Sequence, residues 1–198
     1  MNHCVIHISG ASGSGKSTLG VRLKNRLKNA VVVKDLDDLR DEFIQQFYGH
    51  KKWTHINERE YQQYIHDFVQ KQRKPLIFVG LNDNRVYGKN KNLFYDVFSD
   101  YHYFIDADDA AITKQKCLRL LNDIQTDNRA MQDLTSHNDR FVSLFRDAVQ
   151  RECSLAETRK QNNVLKRHYA EQNYKFMTQE NIFRSVVKII STRNKKNT

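Results

Sequence analysis

The sequence predicts an α/β protein in three layers, with a mostly parallel sheet of about five strands. Three observations lead there. Short β-branched runs alternate along the chain with segments of helical periodicity, the pattern of a parallel sheet with crossover helices. A glycine-rich turn joins the first such run to the first helix. No internal repeat or low-complexity linker interrupts the 198 residues, so one domain is expected over 1–198, with a helical lid or insertion at about 109–172.

Each element has its own signal. Val5-Ile6-His7-Ile8 is the apolar centre of a strand from His3 to Ser9. Leu19, Leu23 and Leu27 fall four apart and give one face to a helix from Gly15 to about Lys28. Ala30-Val31-Val32-Val33-Lys34 is the mark of a strand buried on both faces. Strand, helix, strand in that order implies a right-handed crossover between parallel strands. Asp37 or Asp38 is placed to cap the next helix, which carries Leu39, Phe43, Ile44 and Phe47. Tyr61, Tyr64, Ile65, Phe68 and Val69 repeat at amphipathic spacing and predict a helix over Glu58–Lys71. Pro75, the single proline, opens the third strand, with Asn82-Asp83-Asn84-Arg85 at its carboxyl end.

Tyr101–Asp106 is the fourth strand, and a helix starts near Asp109. Periodicity weakens over 126–138, then one long helical region is expected from about Asp139 to Ala170. Tyr174-Lys175-Phe176-Met177 reads as the fifth strand. Thr178 is placed to cap a last helix that buries Ile182, Val186, Ile189 and Ile190.

Composition narrows the setting. No apolar run is long enough to span a membrane, and the first strand begins too early to leave room for a cleavable signal. Cys4, Cys117 and Cys153 are odd in number and far apart in sequence. They fit neither a disulfide framework nor zinc spacing, so reduced thiols in a cytoplasmic protein are expected. The net charge of +10 is uneven: ten Lys and Arg from Arg159 onward face only Glu171 and Glu180. That basic carboxyl-terminal third suits nucleic acid, anionic substrates or a plain solvated face.

The loop Gly10-Ala11-Ser12-Gly13-Ser14-Gly15-Lys16-Ser17-Thr18 carries the chemistry. It matches G-x-x-x-x-G-K-[ST] in its required setting, after a strand and before a helix. Glycines let successive N–H groups converge on a phosphate, and the helix start adds unpaired N–H groups and the positive dipole end. Lys16 is placed for the β/γ-phosphates and Ser17 for Mg²⁺. No guanine-recognition motif is visible, which favours ATP. A second cluster, Asp35-Leu36-Asp37-Asp38-Leu39-Arg40, follows the second strand. It combines a carboxylate able to orient or deprotonate a hydroxyl with a cation three residues on.

Together these segments resemble the small P-loop kinases of metabolites and nucleotides. Asp35–Arg40 is similar to the D-G-D-N-[LV]-R pattern of adenylyl-sulfate kinases and to the D-D-x-R of polynucleotide kinases, and more loosely to the acidic motifs of shikimate and gluconate kinases. Phe104-Ile105-Asp106-Ala107-Asp108-Asp109, with Arg119 and Asp123, resembles the strand-and-lid segment of uridine and other nucleoside or nucleotide kinases. The resemblance implies a P-loop NTPase fold, Asp37 as the acceptor-side carboxylate, Arg40 as a substrate clamp and Arg119 as the lid arginine. It covers the first quarter well, the middle loosely and 123–173 hardly at all.

Two departures stand out. The third strand ends Val79-Gly80-Leu81-Asn82-Asp83, without the family's Walker B aspartate, so Mg²⁺ falls to Asp35, Asp37 or Asp83 beside Ser17. The lid lacks closely spaced paired arginines: Arg119 and Arg129 are far apart, and Arg140, Arg146 and Arg151 lie further on. Asp35 and Asp38 could equally be helix caps. His3, His7 and His102 fall in strands and read as ordinary packed or surface residues. Trp53, with Tyr48, Lys51, Lys52 and His55, is placed either to stack on a base or to pack.

The expectation is an ATP- and Mg²⁺-dependent kinase of a small acceptor, a nucleoside, nucleotide or related metabolite. The alternatives are a polynucleotide 5′-kinase and a nucleotide-binding regulatory protein without transferase activity. The oligomeric state and the acceptor itself are not legible.

Overall fold

A computed structural model describes residues 4–49, 57–85, 92–126 and 141–194. In chain order the elements are β1 (Val5–Ser9), α1 (Lys16–Leu27), β2 (Val32–Asp35), α2 (Leu36–Tyr48), α3 (Glu58–Lys71), β3 (Leu76–Val79), β4 (Asp83–Arg85) and β5 (Asn92–Phe94). Then come β6 (Tyr101–Ile105), α4 (Asp109–Gln125), α5 (Phe141–Cys153), α6 (Leu155–Glu171), β7 (Lys175–Met177) and α7 (Gln179–Asn194). The chain divides into two compact units. The first holds 1–10, 15–105 and 174–198; the second holds Ala11–Ser14 and Asp106–Asn173.

The first unit is built on a five-stranded, all-parallel sheet in the order β2-β3-β1-β6-β7. Central β1 aligns Ile8 with Val79 of β3 and with Tyr103 of β6, and β3 aligns Val79 with Asp35 of β2. Three strands therefore end nearly level, with Asp35 at the last position of its strand. Leu76 and Phe78, with Val5, pack on Leu39 and Phe43 of α2 and on Tyr61, Ile65 and Val69 of α3. Alternate residues point the other way: Val79 and Val33 lie against Gly20 of α1, where a Cβ would come within 3.3 Å of the Val79 methyls. On the same layer as α1, α7 packs beside it and against β6. Helices thus cover both faces, an arrangement compatible with a three-layer α/β fold. Burying a side chain such as Phe43 or Phe78 contributes roughly 1.5–3 kcal/mol.

The helix over Glu58–Lys71 begins and ends where the sequence places it, with Asn57 as its cap. Thr178 lies ahead of α7 and its hydroxyl accepts from Asn181 N at 3.4 Å. Three expectations need correction. The cap of α2 is Asp35, as one of the two readings of the acidic cluster has it, and not Asp37 or Asp38: its carboxylate accepts the Asp37 N–H at 2.9 Å. The segment after β3, given no element from sequence, starts an antiparallel hairpin that aligns Asp83 with Phe94. The long region from Asp139 to Ala170 is two helices, broken at Ser154, which caps α6 by accepting the Glu157 N–H.

The second unit is helical. Asp108 caps α4 by accepting the Ala111 N–H at 3.0 Å. Helix α4 packs on both α5 and α6. Asp109 ties α4 to α6, taking Asn162 Nδ2 at 2.8 Å and Arg159 Nε at 3.3 Å. Among the described residues no helix is long and apolar enough to cross a membrane.

Candidate functional site

The first unit brings the predicted residues to the carboxyl ends of its strands. Gly15, in the left-handed conformation, leads into α1. The first turn of α1 carries no acidic residue, so no carboxylate of its own offsets the positive dipole end of the helix. Lys16 folds back, its Nζ donating to the Gly10 carbonyl at 2.8 Å. Ser17 and Thr18 are exposed on the helix start. The Ser17 hydroxyl donates to Asp35 Oδ2 at 3.4 Å, so a hydroxyl and a carboxylate stand together although 18 residues apart.

Asp35 carries an electrostatic load. Burial, first of all, raises its pKa, and the Asp37 and Asp38 charges add to that; the Asp37 N–H and the Ser17 hydroxyl pull it back. A carboxylate with too little positive charge around it is suited to a cation. Among the described residues no group of three or more His, Cys, Asp or Glu side chains forms a metal cluster. An ion here would have Ser17 and Asp35 as its side-chain oxygen ligands, with water completing the set. One turn further, Arg40 Nη2 donates to Asp37 Oδ1 at 2.7 Å. Asp37 and Asp38 are exposed in the first turn of α2.

Beside this acidic turn lies a small cleft of about 10 Å³, room for about one water, lined by Leu36, Arg40, Tyr61, Ile65, Leu81, Asn82, Tyr95 and Val97. Tyr61 and Tyr95 meet edge to face, with ring centroids 4.9 Å apart. Asn82 exchanges hydrogen bonds with Tyr95: its Nδ2 donates to the Tyr95 carbonyl and the Tyr95 N–H donates to the Asn82 carbonyl, both at 2.8 Å. Gly80 sits between this cleft and Asp35 at a φ of 133°. A Cβ there would press on Leu36 Cβ at 3.0 Å and on Asp35 Oδ1 at 3.4 Å. Only glycine lets β3 and the start of α2 approach so closely.

Under Gly80 lies His7, fully buried on β1. A carbonyl can only accept, so Nε2–H donates to the Gly80 carbonyl at 3.0 Å and Nδ1 accepts from the Tyr174 hydroxyl at 2.5 Å. Tyr174 in turn bonds the Asn82 side chain. Burial lowers the His7 pKa to about 3, the Gly80 carbonyl opposing, so the ring is neutral. It is a packed histidine, as its place in a strand suggests.

The second unit holds the middle of the glycine-rich loop. The Ser14 N–H donates to the Ala11 carbonyl at 3.0 Å, closing a turn. Gly13 has a φ of 84°, and a Cβ there would meet the Ile112 carbonyl at 2.9 Å and Lys116 Cγ at 3.0 Å. Arg119 Nη2 donates to Ser12 Oγ at 2.8 Å. Lys116 is 3% exposed, with Nζ on the Arg151 carbonyl at 3.1 Å and 3.6 Å from Glu152 Oε2. Burial raises the Glu152 pKa, but Arg151, Lys116 and Arg119 outweigh it and hold the carboxyl below its usual value.

Some expectations lie outside the described residues: those on His3, Lys51, Lys52, Trp53, His55, Arg129, Arg140, Lys195 and Lys196, and on the Asp83 side chain. Tyr48 lies away from the cleft's lining, its hydroxyl on Glu60. Sequence reasoning placed Asn82 along this crevice but missed Tyr61, Tyr95 and Val97 as cleft residues, and Lys116 as a support for Gly13. Only Asn82 had a signal, its position at the end of the third strand. No protein-family model matches the chain, and no curated protein matches it.

Proposed function

We propose that the protein is an ATP-dependent kinase that transfers the γ-phosphoryl group to a hydroxyl of a small acceptor, a nucleoside, nucleotide or related metabolite. The observation that carries this reading is the meeting of Ser17 with Asp35, one turn from the Asp37–Arg40 pair. A hydroxyl and a carboxylate for a cation, and a second carboxylate for an acceptor, then stand at the ends of neighbouring helices. Lys16, released from the Gly10 carbonyl, stabilises charge on the β/γ-phosphates, and the N–H groups at the start of α1 bind them. Ser17 and Asp35 would hold Mg²⁺, which would supply charge neutralisation on the phosphates.

The acceptor lies at the mouth of this cleft, beside Arg40, with its hydroxyl at Asp37. Asp37 orients that hydroxyl; its oxygen bonds the γ-phosphorus as the bond to the departing ADP oxygen breaks, and the hydroxyl proton passes to the carboxylate or to water. Asn82, Tyr61 and Tyr95 shape the acceptor side. Arg119, the expected lid arginine, stands beside Ser12 within the second unit.

The test is ADP release from ATP with a panel of nucleosides, nucleotides and sugar acids, with and without Mg²⁺. Acceptor-dependent, chelator-sensitive ADP release with a phosphorylated product identified by mass is the expected result. ATP binding with no transfer to any acceptor, oligonucleotides included, would instead place the chain among regulatory nucleotide-binding proteins.

A further inference from the structure

Cys117 and Cys153 are distant in sequence, and their spacing suggests no pairing. In the second unit they meet. Helices α4 and α5 pack together, and Lys116 on α4 bonds the Arg151 carbonyl near the end of α5, with Glu152 beside it. The next residue after Lys116, and the next after Glu152, is a cysteine. Both thiols are half-buried and reduced, and they are hydrogen-bonded to each other. This contact stands on the same helix turn that supports the loop: Lys116 lays its stem on Gly13, and Arg119 reaches Ser12.

We propose that Cys117 and Cys153 are a disulfide-forming pair, oxidised by a peroxide, and that the bridge alters triphosphate binding through Lys116 and Arg119. One thiolate attacks the peroxide, takes one oxygen as a sulfenic acid and releases water. The second thiol attacks that sulfur and expels a second water. Two thiols and one hydrogen peroxide thus give one disulfide and two waters, and the sulfurs are oxidised by the two electrons that the peroxide gains. Burial, then the Cys117 hydrogen bond, push the Cys153 thiol up to about 11, with Glu152 adding and Lys116 opposing. Cys153 therefore rests largely as the thiol at neutral pH and oxidises slowly. A bridge fixes α4 on the end of α5 and so fixes the helix turn on which Gly13 and Ser12 lean.

The effect on binding rests on the triphosphate reading above; bridge formation does not. The full chain is treated with hydrogen peroxide, and intact mass, peptide mapping and affinity for a fluorescent ATP analogue are measured. A loss of about 2 Da reversed by dithiothreitol, a linked Cys117–Cys153 peptide, and at least about a twofold change in affinity are expected. Cys153→Ser and Cys117→Ser should each abolish both the mass change and the peroxide effect on affinity. Oxygen gain on either sulfur without a linked peptide, or a disulfide-linked dimer, overturns the pair. A bridge with unchanged affinity overturns the coupling. Binding in neither redox state defeats the triphosphate reading, and the coupling with it, while mass alone still judges the bridge.

Discussion

The loop at the end of β1 is made of backbone, whereas the cleft at the end of β3 is made of side chains. Glycine φ angles, a helix start and one lysine suffice for the loop, and none of those parts distinguishes one phosphate ester from another. The cleft is the reverse case. Tyr61 comes from α3, Tyr95 and Val97 come from the chain after β5, the three meet through packing, and Asn82 is held through its own amide. On the proposed reading, a donor site built on amides suits any triphosphate, while an acceptor site built on shape discriminates. Substitutions should therefore divide by region: loss of rate at the loop, loss of acceptor selectivity and of stability around the cleft.

The largest effect is expected at Lys16. Lys16→Met should lower turnover by roughly 10²–10³, the cost of removing a preorganised electrostatic group, with little change in melting temperature. A Lys16→Met variant of undiminished kcat would detach the loop from the chemistry. At Asp37, Asp37→Asn should lower kcat by about a hundredfold while leaving affinity for the ATP analogue unchanged. An equal loss of ATP affinity would move Asp37 from the acceptor side to the triphosphate side. Both variants keep side-chain volume, and Asp37 is exposed, so neither disturbs the core.

That division also governs what can be read from sequence. Loop, helix period and strand runs are local, so Gly10–Thr18 and the helix over Glu58–Lys71 stand out at fixed spacings. The cleft has no such spacing. Tyr61 and Tyr95 look like one helical stripe residue and one residue of an aromatic-rich segment until α3 and the chain after β5 pack together. The α2 cap was ambiguous for a similar reason. Asp35, Asp37 and Asp38 are all competent caps, and strand register decides among them by pairing Asp35 with Val79. Ser154 lies inside a run compatible with one continuous helix, and Ser, though favoured as a cap, is also tolerated in a helix interior. The hairpin of β4 and β5 is polar on its first strand and offers no alternation to read. Cys117 and Cys153 have no sequence signal at all, because helix packing alone unites them.

Gly80 sharpens the comparison from the stability side. Gly80→Ala forces an alanine to a φ of 133° and against Leu36 and Asp35, so it should cost about 1–3 kcal/mol in urea unfolding. Because Asp35 also meets Ser17, the same substitution should weaken the Mg²⁺ dependence of ATP-analogue binding. Stability lost with Mg²⁺ dependence intact would confine Gly80 to packing.

The smallest effect is a pH dependence. His7 is neutral in the folded state because burial lowers its pKa to about 3, against an ordinary value of 6.5. The unfolded chain therefore binds a proton at His7 that the folded chain does not, throughout the window between those values. Stability is fully present above the ordinary value and is lost as pH falls towards the folded one. From about pH 7.5 to about pH 5.5 the loss due to His7 is about 1 kcal/mol. His7→Gln removes that titration while keeping a donor for the Gly80 carbonyl, so its urea-unfolding slope against pH should be shallower by up to one proton. Equal slopes in the two proteins would mean that the ring takes up its proton without unfolding. The floor beneath Gly80 and Asn82 would then be open to water, and the contrast between a backbone-built loop and a side-chain-built cleft would lose its firmest support.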